Sequence, residues 1–164
     1  MNQNMKHVKS YHITNATYLL LPIPKGKRVV HTLVFDKTGC LYVSQSPMKI
    51  INASCRQMGS SYQSAKELSK QYFGENKHKL PIVVAMTYGD PYVMFPLMSP
   101  KSPLNGWVSF NSLINIRDQE GQINVTFKNF VDSNLDIQYT SFCKQYVHAA
   151  MLHKHLTAKW KHFV

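Results

Sequence analysis

The chain has 164 residues, a length typical of one domain with its own hydrophobic core. Its 19 Lys and Arg outnumber its 8 Asp and Glu, and the resulting net charge of +11 favours a polyanionic partner, either nucleic acid or an anionic membrane surface. Three scattered cysteines exclude a disulfide framework, and the polar N-terminus lacks the apolar core of a secretory signal, so we expect a cytoplasmic protein.

The first half of the chain combines strand patterns with one clear helix. Residues 1–10 are polar and are expected to be flexible. Strands are predicted over 11–23, 28–35 and 40–44, the last two joined by an Asp-x-x-Gly turn, while 47–55 fits either a short helix or a strand. A helix is predicted over about 61–73, with Gly74 just past its end and a basic linker over 75–79.

The second half predicts more strands and a second helix. Strands over 82–87 and 92–98 flank a turn at Gly89, and the prolines of 96–105 indicate an irregular segment. Strands over 107–116 and 123–127 form another pair around Gly121, 135–139 is a further candidate strand, and a long helix covers about 141–162. This order predicts an α+β fold with a mainly antiparallel sheet, a central helix and a long C-terminal helix.

Residues 55–62, CRQMGSSY, have the chemistry of a phosphate site. Arg56 precedes a glycine and two hydroxyl residues, Ser60 and Ser61, at the predicted start of the central helix. Ser60 is placed as the N-cap, with Gln63 three positions on as in a capping box. Free amides at a helix start, hydroxyls and an arginine together favour phosphate, so this block is predicted to clamp one.

The last helix separates into two faces at 100° per residue. The predicted docking stripe comprises Phe142, Tyr146, Ala149, His153, Leu156 and Trp160. The opposite face carries lysines and histidines without a carboxylate, namely Lys144, His148, His155, Lys159 and His162. Both an ordinary solvated face and a phosphate-contacting face fit this second pattern.

Enzymatic and metal chemistry find no support in the motifs. His148, His155 and His162 lie two helical turns apart, about 10 Å, which is too far for one zinc ion. The sequence contains no P-loop, G-x-S-x-G or G-x-G-x-x-G pattern and no carboxylate motif for acid–base work. We expect no enzyme, no metal, no cofactor and no small-molecule substrate.

Several blocks of the chain resemble the competence transcription factor family, ComK, of low-GC Gram-positive bacteria. The resemblance spans roughly residues 10–156 and would make 11–164 a single ComK-like domain. Its residues are Cys55, Arg56, Gly59, Ser60, Ser61, Tyr62, Lys66, Lys79, Pro81, Ile82, Phe95, Pro96, Ser99, Gly106, Trp107, Phe127, Ser141, Phe142, Gln145, Ala150 and Leu152.

The resemblance implies a cytoplasmic activator of competence and DNA-uptake genes that binds paired A/T-rich boxes through the minor groove as an oligomer, under adaptor-guided proteolysis. A narrow A-tract groove attracts Arg and Lys, which suits this basic chain. The sequence departs from the family pattern at Ala65, Asn105, His148 and His153, where arginine or cysteine is usual, and at Leu97, where threonine is. Most members also continue past the last helix.

The expected DNA contacts combine the phosphate clamp with the surrounding cations. Arg28 and Lys101, in irregular segments, are candidates to enter the groove. The expected contacts are Arg56, Ser60, Ser61, Lys66, Lys70, Lys77, Lys79, Arg28, Lys101, Lys144, His148 and Lys159. For the lysines of the central helix and the linker, an ordinary solvated surface is the alternative.

Two other functions stay open. The chain fits a paralogue that regulates another family member by protein–protein interaction and does not read DNA. Peripheral membrane association is the other alternative, because the last helix has an apolar face ending in Trp160 and Phe163 beside a basic face. Docking onto the sheet explains the same stripe better, and the longest apolar run, around 18–23, is too short to cross a bilayer.

Overall fold

The computed structural model describes residues 5–162 and confirms the α+β fold. The strands are β1 Lys6–Val8, β2 Thr17–Lys25, β3 Val29–Asp36, β4 Gly39–Val43, β5 Ile82–Thr87, β6 Asp90–Pro96, β7 Trp107–Ser109, β8 Leu113–Gln119, β9 Gln122–Phe127 and β10 Val131–Leu135. The helices are α1 Pro47–Gln57, α2 Tyr62–Phe73 and α3 Tyr139–His162, and a 3₁₀ turn covers Lys128–Phe130.

The described strands form two sheets. Seven of them lie in the order β1-β4-β3-β2-β7-β6-β5, and β10-β9-β8 form a separate three-stranded sheet. Every described pair is antiparallel except β1 with β4, so the predicted antiparallel character is confirmed.

Both faces of the large sheet are covered, because successive side chains on a strand point to opposite sides. On β2, Leu19 packs into one core and Leu20 into the other, and on β7 Val108 and Trp107 divide in the same way. The first core also contains residues of the small sheet and α3, and the second contains residues of α1 and α2. The sheet is therefore sandwiched between α1 and α2 on one face and α3 with the small sheet on the other.

β2 differs from the predicted strand over 11–23, because Pro22 and Pro24 lie inside it. Proline lacks the N–H that a central strand needs, but it is tolerated where a strand has an unpaired edge. β7 pairs with β2 only at Leu19 and Leu20. Beyond these residues no described strand lies on that side, and the prolines lose no hydrogen bond.

The predicted strand over 107–116 is split between the two sheets. β7 belongs to the large sheet and β8 to the small one. The Ser109 hydroxyl accepts a hydrogen bond from the Ser112 amide at 3.2 Å and lies 2.9 Å from the Tyr92 hydroxyl, which fixes the turn between them. The last predicted strand, 135–139, is also displaced: β10 ends at Leu135 and α3 begins at Tyr139.

The N-terminal segment contains a short strand where a flexible segment was expected. Lys6 pairs with Leu41 and Val8 with Val43, so β1 extends the edge of the large sheet beside β4. Met1–Asn4 lie outside the described residues.

Helix boundaries follow local capping signals, with one correction. Gly74, at φ 105°, closes α2 as predicted. Ser60 is not the N-cap: its amide donates to the Cys55 carbonyl oxygen at 3.0 Å and belongs to the closing turn of α1. Ser61 caps α2 instead, and its hydroxyl accepts from the Ser64 amide at 3.0 Å.

Candidate nucleic-acid interface

A concave surface with several cations lies between α2, the 75–80 linker and the loop over 97–106. We call it the basic groove; its volume is about 420 Å³. Its floor is formed by the half-buried Tyr62 with Leu80 and Ile82, both of which are buried. The basic and acidic lining residues are Lys66, Lys70, Glu75, Lys77, His78 and Lys101.

One acid lies among these cations. Glu75 contacts Lys70, with 3.9 Å between Oε2 and Nζ, and its side chain is 82% exposed. An ion pair this open to water is weak, because solvent screens it. The groove is therefore positive, with one lysine partly neutralised.

A second hollow of about 270 Å³, the loop pocket, adjoins the basic groove through Pro100 and Lys101. It lies where the 97–106 loop meets the start of α1 and the beginning of β3. Its lining residues are Arg28, Val30, Ser46, Pro47, Met48, Pro100, Lys101, Ser102, Pro103, Asn105 and Trp107.

The loop that forms this pocket is held closed at its ends. The Leu97 amide donates to the Gly106 carbonyl oxygen at 3.0 Å, and the Met98 amide donates to Asn105 Oδ1 at 2.9 Å. Gly106 lies against β2 so closely that a Cβ there would be 2.8 Å from the Leu20 carbonyl oxygen. Only glycine permits that approach without a backbone shift, so Lys101 is carried by an anchored loop.

The third part, which we call the helix-start surface, surrounds the beginning of α2. It shares Tyr62 with the basic groove and Ser46 with the loop pocket. Its lining residues are Ser46, Met48, Lys49, Asn52, Arg56, Ser61, Tyr62 and Gln63. Together, the basic groove, the loop pocket and the helix-start surface form one continuous area, named the basic surface below.

The proposed clamp is partly assembled at the helix-start surface. Arg56 is exposed and lines this surface with Ser61, whereas Ser60 is exposed in the preceding turn. The Tyr62 amide already donates to Asn52 Oδ1 at 3.2 Å, and the Ser64 amide to the Ser61 hydroxyl. The start of α2 thus offers fewer free amides than the sequence predicted, and the cations that line this surface are Arg56 and Lys49.

A neighbouring cleft of about 340 Å³ separates the linker from the first turns of α3. It joins the basic groove through Lys77 and His78 and adds Lys79, Lys144 and His148. Burial lowers the pKa of His148, and the positive charges of Lys144 and Lys77 lower it further. His148 is therefore mainly neutral at pH 7.

The faces predicted for α3 are confirmed in part. On the docking stripe, Phe142, Ala149 and Leu156 are buried and Tyr146 packs against the first core, whereas Trp160 is 46% exposed. His148 and His155 were expected to face away from the body of the protein, but their rings lie 5.2 Å and 4.6 Å from those of Phe73 and Tyr72. The reason is that α3 contacts the end of α2 as well as β6. The buried positions are Phe142, Gln145, Ala149, Leu152 and Leu156.

Two residues of α3 lie in positions that the helical pattern could not show. His153 Nε2 lies 2.9 Å from Asp90 Oδ1, which ties α3 to the start of β6. Lys159 is exposed beside a separate hollow lined by Leu68 and Tyr72 and is not brought to the basic surface. Phe163, the second residue of the suggested membrane contact, lies outside the described residues.

Sequence reasoning missed three residues of the basic surface. Lys49 was overlooked because the prediction for 47–55 was left open between helix and strand, and only helical geometry places Lys49 on the same surface as Arg56. His78 follows a lysine in the linker and was not singled out. Asn105 was noted only as a departure from a family pattern, and no local signal indicates that it lines a pocket.

Residues 5–162 contain no group of three or more His, Cys, Asp or Glu side chains arranged to hold a metal ion. Over the same residues, no helix has the length and apolar character needed to span a bilayer.

The sequence of the chain matches one known family. The ComK protein family model matches residues 8–161, and this chain belongs to that family. The Competence transcription factor of Bacillus subtilis strain 168 is 30% identical over 146 residues, which cover 88% of this chain and 74% of that protein. No solved structure matches the chain.

Proposed function

We propose that this protein is a transcription regulator that binds double-stranded DNA along the basic surface. The observation that carries the proposal is the gathering of Arg28, Lys49, Arg56, Lys66, Lys77 and Lys101 on one continuous area whose lining includes a single acid, Glu75. Closely spaced phosphates attract such an area, and released counterions supply much of the binding free energy. The membership of the chain in a family that includes a competence transcription factor supports the same conclusion.

The preferred DNA is a pair of A/T-rich boxes in promoters of competence genes, read through the minor groove by an oligomer. This part rests on the family. Physical chemistry supports it, because A-tracts narrow the minor groove and concentrate negative potential that attracts Arg and Lys. Adaptor-guided proteolysis belongs to the same set of family expectations and is tested separately, by degradation assays with purified components.

A gel shift with purified protein is the decisive test. The protein should retard a duplex with paired A/T boxes at concentrations that leave a scrambled duplex of equal composition free. Retardation of neither duplex would favour the alternative of a regulator that acts on another family member without reading DNA. Retardation of both duplexes equally would leave DNA binding intact and remove the A/T specificity.

Matched variants locate the interface. Lys66→Ala combined with Lys77→Ala removes two exposed or half-exposed cations of the basic groove. The control combines Lys37→Ala with Lys128→Ala, two exposed lysines in the β3–β4 turn and after β9. Both pairs lower the net charge equally, so a general electrostatic effect would weaken binding equally. A specific interface requires a much greater loss for the groove pair.

A further inference from the structure

The loop pocket has the composition of a site for a single phosphate group. Arg28 and Lys101 line it, and its lining contains no carboxylate. The other polar side chains in the lining, those of Ser46, Ser102 and Asn105, can all donate hydrogen bonds. The volume of about 270 Å³ holds a phosphate group together with several waters.

The start of α1 adds backbone attraction for an anion. α1 has 11 residues and begins at this pocket with Pro47, which has no N–H. The Lys49 amide donates to the Ser46 hydroxyl at 3.2 Å and the Ile50 amide to the Ser46 carbonyl oxygen at 3.1 Å. The Met48 amide is left without an acceptor in the described part of the chain. A helix start with an open amide carries partial positive charge and favours phosphate.

Asn105 supplies an independent indication. Its side chain is 3% exposed, and its Oδ1 accepts from the Met98 amide at 2.9 Å, which fixes the orientation of the side-chain amide. Its Nδ2 is buried without a hydrogen-bond partner among residues 5–162. Such a donor is costly to leave unpaired, and the cations beside it select a negatively charged acceptor.

We infer that the loop pocket binds one phosphate group of the DNA backbone, held by Asn105 Nδ2, the Met48 amide, Arg28 and Lys101. This inference rests on the proposed function. It assigns Arg28 and Lys101, which the sequence suggested as groove-entering residues, to backbone contact. A phosphate fixed by a closed loop and a helix start positions the protein on the duplex without specifying sequence.

The test measures the binding of inorganic phosphate and of DNA in parallel. Proton–nitrogen correlation spectra of the isotope-labelled protein are recorded during titration with inorganic phosphate, with chloride at equal ionic strength as the reference. The Met48 backbone amide and the Asn105 side-chain amide should shift saturably with phosphate only. Fluorescence anisotropy then gives the affinity of each variant for a labelled A/T-box duplex.

Asn105→Asp is the main variant, because a carboxylate keeps the acceptor for the Met98 amide but replaces the donor with negative charge. Asn15→Asp is the matched control, because it adds the same negative charge away from the pocket. Asn15 is exposed and lies just before the first residue of β2. Arg28 lies near the other end of that strand, where Lys25 pairs with Val29. Asn105→Asp should weaken the binding of both phosphate and DNA by at least about tenfold relative to the control, because one charge-assisted hydrogen bond is lost. Lys101→Ala, at an exposed loop position, should weaken the binding of phosphate and of DNA without affecting folding.

Each outcome decides a separate point. If phosphate causes no saturable shift, or if Asn105→Asp and Asn15→Asp bind phosphate equally well, the loop pocket is not a phosphate site. Loss of phosphate binding with unchanged DNA affinity shows that the pocket takes a free phosphate and overturns the DNA backbone as its source. Phosphate binding by a protein that binds no duplex refutes the proposed function and leaves the pocket standing.

Discussion

The steepness of the salt dependence of DNA binding is set by the number of cations on the basic surface. Six of its cations make no ion pair within the described part of the chain: Arg28, Lys49, Arg56, Lys66, Lys77 and Lys101. Each phosphate neutralised contributes about −0.9 to the slope of log affinity against log salt, so full engagement gives a slope of about −5. Between about 50 and about 200 mM salt the affinity should then fall roughly a thousandfold.

The measurement is fluorescence anisotropy of a labelled A/T-box duplex titrated with protein at a series of salt concentrations. Lys66→Ala should make the slope shallower by about 1, whereas Lys37→Ala should leave it unchanged. A wild-type slope shallower than about −2 would mean that most of these side chains do not meet phosphate, and the basic surface would lose its role as the interface.

Three further outcomes follow from individual contacts. Glu75→Gln should release Lys70 from its ion pair and raise DNA affinity several-fold with a steeper salt slope; unchanged binding would show that the basic groove does not contact DNA. Arg56→Ala should weaken DNA binding much more than Lys37→Ala in the same anisotropy assay, and equal losses would remove the special role of the CRQMGSSY block. The folded state lowers the pKa of His148, so the unfolded chain binds the proton more readily, and stability should decrease as pH falls through about 6.5 towards the folded pKa. Urea unfolding at about pH 7.5 and about pH 5.5 measures this effect, and an equal pH difference in His148→Gln would contradict it.

The elements best predicted from the sequence are those with local signals. The central helix ends at Gly74 because glycine readily adopts the φ of 105° found there. The β3–β4 hairpin follows from its Asp-x-x-Gly turn, with the Asp36 carboxylate accepting from the Thr38 amide at 2.8 Å. These features depend on residues within a few positions of one another, and the sequence therefore contains the necessary information.

The elements least well predicted depend on long-range pairing. Nothing local shows that 107–116 divides between two sheets, because the division follows from pairing of β7 with β2 and β6, and of β8 with β9. The parallel pairing of β1 with β4 is equally hidden, since it joins Lys6 to Leu41. The contacts of His148 and His155 with the end of α2 were not predicted, because the helical pattern of α3 alone cannot show which neighbouring helix lies beside these histidines.

The sequence by itself determined the charge, the types of element, the CRQMGSSY block and the family resemblance. These depend on composition and on order along the chain. The tertiary structure alone decided which cations share a surface: it brings Arg28 and Lys101 to one pocket beside the start of α1 and leaves Lys159 elsewhere. The physical reason is that a site is defined by distances in space. Here those distances are set by pairing of β2 with β3 and β7, by closure of the 97–106 loop and by packing of α1 on the sheet.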